Sequence, residues 1–425
     1  MKNEQGLKTP LWIYNNREEH DMKFDFTSIL DRRGMDAIAV APEEDPYGIA
    51  PVGEIKEGFD LIPMWVADMN FPTTPTICEA ITKRAQHPAF GYFAPRKEYY
   101  DSIIRWQASR NGVTGLEQKH IGYQNGVLGG VLSALAVLCC PGDNVLVHAP
   151  TYVGFLEEVG TVGYHLIGSE LVKDNQGVWR MDYADMEEKI RRYRIHTMIF
   201  CSPHNPTGRV WEREELEKAF EIFERNDVYV ISDEIWSDLT LEGYRHIPLQ
   251  SVSEDARQRT VAFYAPSKTF NLAGLVGSYH IIYNDYLRAR IKRQSSLSVY
   301  NAMNVLSMHA LLGAYTDTGM EWVDELRSVL TGNVDFAVEF IKTHFEGVEV
   351  SKPQGTYMLL LDCGDWLKSH GKTLDELLRA GVEVGVLWQD GRQFNRENAI
   401  RMNLALPRVR VEEAFDRLRK YAFTE

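Results

Sequence analysis

The sequence predicts an α/β fold, in which a large domain with a mostly parallel sheet flanked by helices is followed by a smaller α+β domain. The main observation is alternation through the middle of the chain. Short segments rich in β-branched and aromatic residues alternate there with helix-like segments such as 212–225. This alternation is typical of a parallel sheet covered by helices. The predicted strands of the large domain are 144–149, 197–201, 228–232, 260–264 and 278–283.

The second observation is a change of pattern near Tyr300. A long helical region at 306–345 is followed by short strands near 357–362 and 399–404, and by a closing helix at 411–421. The N-terminal part is rich in Pro, Gly and charged residues, and it is expected to pack on the C-terminal domain or on a partner subunit. We therefore expect an N-terminal segment at 1–60, a large α/β domain at 61–300 and a small domain at 301–425.

The bulk composition limits the classes of function. The chain has 425 residues and a formal net charge of −14, which argues against a nucleic-acid or anionic-membrane partner because both favour a basic surface. No apolar run approaches the roughly 18–20 residues of a membrane span, and the N-terminus lacks the pattern of a secretory signal. The five cysteines have no metal-type spacing, so we expect free thiols, no bound metal and a cytoplasmic location.

Ligands of open α/β sheets bind beyond the carboxyl ends of the strands, so the loops that follow the predicted strands are the places to search. Lys268 follows the strand at 260–264 and lies next to Ser267. A lysine in such a loop is most often a solvated surface residue. A partly desolvated lysine can instead lose its proton near neutral pH and act as a Schiff-base nucleophile.

Two other loops carry polar groups that suit a pyridine ring. Asp233 ends the strand at 228–232, where a carboxylate can keep a ring nitrogen protonated, although a helix cap is the more common role of such an acid. Asn205 lies in the proline-rich turn at 202–208. The turn would hold its amide in one orientation, suited to donate to a ring oxygen, and the alternative is a plain turn.

Three further features complete the pattern. Gly126, Val127 and Leu128 open an apolar helix, where free backbone amides suit a phosphate, although tight helix packing explains the glycines equally well. Tyr152 follows a strand and is placed to stack on a ring, but a buried core tyrosine is more common. Arg401 lies in the last predicted strand, where it suits a carboxylate, with a structural ion pair as the alternative.

The order and spacing of these features match one known arrangement. Over nearly its whole length the sequence resembles the fold-type-I pyridoxal-phosphate (PLP) enzymes, specifically the class I and II aminotransferases. The resemblance implies a seven-stranded sheet in the large domain, PLP as the cofactor, an amino acid as the substrate and a homodimer with shared active sites. The most specific segments are SPHNPTG (202–208), SDEI (232–235), SKTFNLAG (267–274) and IRMNLALPR (400–408).

The resemblance also implies a role for each matching residue. Lys268 would bind the cofactor covalently and move the substrate α-proton, and Asp233 would pair with the pyridine nitrogen. Arg401 would bind the substrate α-carboxylate. Tyr92 would reach into the neighbouring subunit's site and contact both cofactor and substrate. The other expected cofactor contacts are Gly126, Val127, Leu128, Tyr152, Asn205, Trp236 and Ser267, of which Asn205 would also contact the substrate.

Several segments resemble the cystathionine β-lyase, or C–S lyase, branch of this family, above all WVADM (65–69). That branch eliminates a thiol from cysteine thioethers to give pyruvate and ammonia, and this reaction is the leading hypothesis. Transamination of an amino acid is the main alternative because it needs the same residues. A regulatory role on a PLP-enzyme scaffold is the third hypothesis.

Four residues depart from the family pattern, and one of them is Asn70, which stands where the lyase branch commonly has Asp. Trp236 stands where relatives carry Tyr or His. Ala265 and Val276 stand where a phosphate-binding Ser and Arg are usual. We therefore expect phosphate binding to depend more strongly on the amides of Gly126–Leu128, on Ser267 and on Tyr92.

Overall fold

The computed structural model describes residues 22–297 and 301–424. The strands are β1 Ile62–Pro63, β2 Ile121–Asn125, β3 Asn144–Ala149, β4 His165–Lys173, β5 Trp179–Met181, β6 Thr197–Cys201, β7 Tyr229–Asp233, β8 Thr260–Tyr264, β9 Gly277–Ile281, β10 Glu349–Val350, β11 Met358–Asp362, β12 Val386–Leu387, β13 Gln389–Asp390 and β14 Ala399–Asn403.

Helices connect and cover these strands. The α-helices are α1 Pro75–Ala85, α2 Lys97–Asn111, α3 Val127–Leu138, α4 Val153–Thr161, α5 Tyr183–Arg192, α6 Arg213–Arg225, α7 Glu254–Arg259, α8 Pro266–Thr269, α9 Asp285–Ser296, α10 Val305–Ala314, α11 Asp317–His344, α12 Gly364–His370, α13 Leu374–Glu383 and α14 Arg408–Tyr421. The short 3₁₀ helices are Ile38–Val40, Pro42–Glu44, Gln118–His120, Leu249–Ser251, Ala273–Leu275 and Gly391–Phe394.

The large sheet confirms the predicted fold class. Its strand order is β2-β9-β8-β7-β6-β3-β4-β5, and the run from β8 to β4 is parallel. All residues of β6 and β8 are buried, because helices cover both faces of a parallel sheet. Such strands therefore read as continuous apolar runs rather than as alternating patterns.

The predicted number of seven strands is wrong, because the sheet that the described residues form has eight. The additional strand is β5, which pairs antiparallel with β4 at the sheet edge, Leu171 opposite Met181. A three-residue strand is too short to produce a recognisable hydrophobic period. The predicted helical region at 306–345 is also interrupted, since Thr316 caps a new helix by accepting a hydrogen bond from the amide of Gly319.

A smaller antiparallel sheet, in the order β10-β11-β14-β13, lies in the C-terminal part of the chain. Its strands pack against α11 and α14 in the largest apolar cluster, which includes Leu330, Leu359 and Phe415. This agrees with the predicted α+β character of that part. Among the described residues, no helix combines the length and the hydropathy that a membrane crossing requires.

The described part of the predicted N-terminal segment contacts the C-terminal part. The Lys56 amide donates to the Glu383 carbonyl at 2.9 Å, and the Asp60 carboxylate accepts from Arg410 at 2.8 Å. Just beyond that segment, β1 pairs in parallel with β12. The expectation for 1–21 lies outside the described residues, and the domain boundaries at 60/61 and 300/301 stay predictions.

Candidate active site

The loops at the carboxyl ends of the parallel strands enclose a cavity of ≈ 280 Å³. Residues from six separate parts of the chain form its wall. Two larger depressions, of ≈ 770 and ≈ 830 Å³, are not lined by any predicted site residue that the structure describes. The predicted residues that line the smaller cavity are Gly126, Val127, Leu128, Tyr152, Asn205, Asp233, Trp236, Ser267 and Lys268.

Lys268 lies on α8, the short helix that follows β8. Its amine donates a 2.8 Å hydrogen bond to the carbonyl of Ala67, and its Nζ lies 5.7 Å from the centre of the Trp236 ring. Burial lowers the pKa of this amine to about 8, although the nearby Asp68 carboxylate opposes the shift. The amine therefore has a substantial neutral, nucleophilic fraction near physiological pH.

Asp233 ends β7, and its side chain faces the cavity. Its Oδ1 accepts a 3.1 Å hydrogen bond from the amide of Ile235. Burial raises the pKa of this carboxyl to about 6, because a charge in an apolar setting is costly unless a cation compensates it. A protonated ring nitrogen is a cationic donor that would compensate this carboxylate.

Glu234, the next residue, has a different environment. Its carboxylate accepts hydrogen bonds from His246 Nε2 and the Tyr264 hydroxyl, both at 2.6 Å, and from the Ser232 hydroxyl at 2.8 Å. The amide of Leu249 is a fourth donor, at 3.3 Å. Its oxygens are occupied by protein donors, so this carboxylate holds the loop in place and does not line the cavity.

Arg401, on β14, does not line the cavity itself but contacts Asn205, which does, and it is held by neutral oxygen acceptors. Nη1 donates to Asn205 Oδ1 at 3.1 Å, and Nη2 donates to the Trp65 carbonyl at 3.2 Å and to Gln389 Oε1. The guanidinium lies 4.3 Å from the centre of the Phe394 ring. Its buried Nε has no hydrogen-bond partner among the described residues. An unpaired donor on a buried cation suits an incoming carboxylate.

The start of α3 forms another part of the cavity wall. Gly126, with a φ of 79°, turns the chain into the helix, so that Val127 and Leu128 present first-turn amides. First-turn amides have no acceptor within their own helix, and the helix dipole favours an anion there. The side chains of Ala265 and Val276 also line the cavity, and neither can bind phosphate by hydrogen bonds. That the amides, Ser267 and Tyr92 bind the phosphate stays a prediction.

Tyr152 supplies a flat aromatic surface. It precedes α4, and its ring contacts the Phe155 ring edge-on with the centroids 5.4 Å apart. A Cβ at Gly154 would lie 2.5 Å from Cε1 of Tyr152, so this glycine leaves the space that the ring occupies. Burial raises the pKa of the Tyr152 hydroxyl to about 12, so the ring stays neutral and is suited to stacking.

The segment Trp65–Met69 contributes backbone groups that sequence reasoning did not assign. The Ala67 carbonyl accepts both from Lys268 and from the hydroxyl of Tyr357, at 2.8 and 2.9 Å. The Asn271 side chain bonds both backbone groups of Met69. The segment was singled out only because its sequence resembles the lyase branch. A sequence does not indicate which backbone carbonyls will accept hydrogen bonds. Ala67, Tyr357 and Gln389 are therefore the site residues that the pattern did not reveal.

Tyr92 is the one predicted site residue far from this arrangement. It is fully exposed, and residues 85–98 around it are exposed as well, including Phe90 and Phe93. It does not line the cavity of its own chain. The prediction that it enters a neighbouring subunit's site stays a prediction, and so do the individual roles of the other site residues.

The cavity fits the cofactor that the resemblance implies. A pyridine ring carrying an aldehyde and a phosphate needs a primary amine, a carboxylate for its nitrogen, a flat neighbour and an anion-binding end. Lys268, Asp233, Tyr152 and the start of α3 supply these four groups around one space. Arg401, which contacts the cavity residue Asn205, adds a cation with an unpaired donor.

Comparison with known proteins supports the same family. Residues 60–418 match the family described as aminotransferase class I and II. Cystathionine beta-lyase PatB of Bacillus subtilis (strain 168) is 34% identical over 351 residues, which cover 82% of this chain and 90% of that protein. Protein MalY of Escherichia coli (strain K12) is 30% identical over 401 residues, which cover 92% and 96%.

A solved structure extends the likeness to three dimensions. The crystal structure of the PLP-bound C–S lyase from Staphylococcus hominis has a TM-score of 0.84 and 29% sequence identity. The alignment covers 95% of this chain and 99% of that chain. The resemblance found in the sequence is thereby confirmed, and this chain belongs to the class I and II aminotransferase family.

Proposed function

We propose that the protein is a PLP-dependent C–S β-lyase, which eliminates a thiol from a cysteine thioether and releases pyruvate and ammonia. The observation that carries the proposal is that the Lys268 amine, with a pKa of about 8, shares one cavity with the Asp233 carboxylate. The names of the relatives favour elimination, since PatB is a cystathionine beta-lyase and the Staphylococcus hominis protein is a C–S lyase.

Three side chains have a defined task in this reaction. Bound PLP supplies an electron sink for the electrons that remain when the α-proton leaves. Asp233, buried and facing the cavity, keeps the proton on the ring nitrogen. Arg401 binds the α-carboxylate and so orients the α-C–H bond. The Lys268 amine then takes the α-proton, the thiolate leaves from the β-carbon, and water hydrolyses the released aminoacrylate to pyruvate and ammonia.

The working unit is a homodimer in the cytoplasm. The exposed aromatic residues Phe90, Tyr92 and Phe93 support a subunit contact, because contiguous exposed apolar residues are characteristic of interfaces. All five cysteines are free thiols, which suits a reducing compartment. In the dimer, Tyr92 contributes to the cofactor and substrate contacts of the partner's cavity.

The test is product analysis with purified protein and L-cystathionine, without any added keto acid. The proposal predicts equimolar pyruvate, ammonia and thiol over many turnovers. Transamination would instead consume the lysine-bound cofactor once and require a keto acid to continue. Absence of pyruvate from cystathionine and from a panel of smaller cysteine thioethers contradicts the proposal.

A further inference from the structure

Gln389 contacts the buried guanidinium directly, although no sequence motif points to it. β13 and β14 are antiparallel, and Gln389 lies directly opposite Arg401 in their register. Its Oε1 accepts from Arg401 Nη2. Both side chains are buried. The contact is therefore a cross-strand pair protected from competing water.

The orientation of the Gln389 amide is determined on both sides. A guanidinium can only donate, so Gln389 must turn its oxygen toward Arg401. Its Nε2 then faces Gln393 and donates to Oε1 of that residue at 2.8 Å. Gln393 Nε2 in turn faces the carbonyl of Ile49, at 3.5 Å. Each of these side chains therefore donates to the next acceptor. If the Gln389 amide were flipped, its NH₂ group would face the Arg401 guanidinium, and two donors would oppose each other.

The charge at this position matters as much as the geometry. The acceptors around Arg401 are Asn205, the Trp65 carbonyl and Gln389, which are all neutral. No carboxylate among the described residues forms an ion pair with Arg401. A glutamate at position 389 would form one, and it would also repel an incoming carboxylate. A glutamine holds the guanidinium without neutralising it.

We infer that Gln389, anchored by Gln393, is a positioning residue that presents an uncompensated Arg401 to the α-carboxylate of the amino-acid substrate. The inference rests on the proposed function. It assigns Gln389 to the recognition of the substrate carboxylate and not to the chemistry at the α-carbon. Its loss should therefore weaken binding far more than it slows turnover.

The test compares two probes that differ only in the carboxylate. L-Alanine and L-alaninamide are titrated into the PLP-loaded protein, and the change in cofactor absorbance gives an apparent Kd for each. For Gln389→Glu we expect the Kd of L-alanine to rise about tenfold or more, and that of L-alaninamide to change less than about twofold. With a cysteine thioether, KM should rise about tenfold, while kcat stays within about threefold.

The chain offers a matched control. Gln354 Oε1 accepts from the buried Arg209, so Gln354→Glu makes the same change beside a buried arginine outside the cavity. It should leave both Kd values within about twofold of the wild type. Gln393→Leu provides a second variant if Gln389→Glu does not fold. It releases the Gln389 amide, and it should raise only the Kd of L-alanine, by about two- to fivefold.

The outcomes separate the two claims. Equal effects of Gln389→Glu on both probes, or none on either, would overturn the inference and leave the proposed function intact. A PLP-loaded wild-type protein that forms no pyruvate from any of the cysteine thioethers would overturn the proposed function and the inference with it.

Discussion

The two adjacent carboxylates at the end of β7 serve different regions of the molecule. Glu234 faces inward to His246 and Tyr264, where four donors occupy its oxygens. Asp233 faces the cavity, where burial raises the pKa of its carboxyl to about 6 and the Ile235 amide is its hydrogen-bond donor. The same contrast separates the well-paired Arg209 from Arg401, whose Nε is unpaired.

This contrast indicates how function is distributed. Buried polar groups are normally paired, because an unpaired one costs about 1–3 kcal/mol. Groups that stay under-paired around one cavity are therefore reserved for a ligand, whereas saturated groups stabilise the fold. Substitutions of the under-paired groups at the cavity should change catalysis. Substitutions of groups that are fully hydrogen-bonded within the protein should change stability.

The largest effect is expected from Lys268→Ala. Without the amine there is no covalent attachment of the cofactor and no base for the α-proton, so activity should fall by at least about a thousandfold. The absorbance of lysine-bound PLP should also disappear. Lys292→Ala, which removes an exposed lysine on α9, is the control and should keep both. Activity that survives Lys268→Ala would favour the regulatory hypothesis.

Asp233→Asn should separate catalysis from stability. The ring nitrogen loses its anionic partner, so kcat should fall about a hundredfold or more. In the cofactor-free protein, by contrast, the same substitution should stabilise the fold. The folded pKa of about 6 lies above the ordinary aspartate value of 3.8, so this contribution to stability is present at low pH and is lost as pH rises through 6. At pH 8 the substitution should raise the free energy of unfolding by about 1–3 kcal/mol.

Urea unfolding of the cofactor-free wild type and Asp233→Asn proteins at pH 5 and pH 8 measures this difference. The stabilisation should be smaller at pH 5, where the wild-type carboxyl is largely protonated. A variant that is less stable than the wild type at pH 8 would show that Asp233 is a structural residue like its neighbour.

Glu234→Gln also replaces a carboxylate by an amide, but at a residue that is fully hydrogen-bonded within the protein. A neutral amide has one acceptor oxygen and cannot satisfy all the donors from His246, Tyr264 and Ser232. The free energy of unfolding should fall by about 1–3 kcal/mol, while kcat/KM stays within about threefold. Thermal or urea unfolding and steady-state kinetics measure the two quantities. A large loss of activity without a loss of stability would remove the distinction between the two carboxylates.

The smallest effect on catalysis is expected from His148→Phe, away from the cavity, where only the pH dependence of stability should change. Both ring nitrogens of His148 are buried without a partner among the described residues, and burial lowers its pKa to about 3. A lowered folded pKa means that stability is present above the unfolded value of 6.5 and is lost as pH falls toward 3. Between pH 6 and pH 4, the free energy of unfolding of the variant should fall by about 1.4 kcal/mol less per pH unit than that of the wild type.

Urea unfolding of the wild type and of His148→Phe at pH 7, 6, 5 and 4 gives this slope. His204, whose pKa is also lowered well below the usual range by burial, contributes a second, parallel loss that the variant retains. Parallel pH profiles for the two proteins would mean that His148 is not kept neutral by the fold.

The fold class was largely predictable, because buried parallel strands leave long apolar runs in the sequence and β3, β6 and β8 coincide with the predicted segments. The short edge strand β5 and the break between helices at Thr316 were not predictable, because neither a three-residue strand nor a single capping residue produces a hydrophobic period. Family membership was predictable from a few spaced motifs, which the match over 60–418 confirms.

The sequence by itself determined which side chains were candidates, because a lysine, an aspartate and an arginine at the ends of strands carry chemistry that few other residues share. Only the tertiary structure decided their environment. It placed Lys268 on the carbonyl of Ala67, separated Asp233 from the saturated Glu234, and set Gln389 opposite Arg401. Burial, pKa and hydrogen bonding depend on neighbours that are far apart in the chain, and no local pattern specifies them.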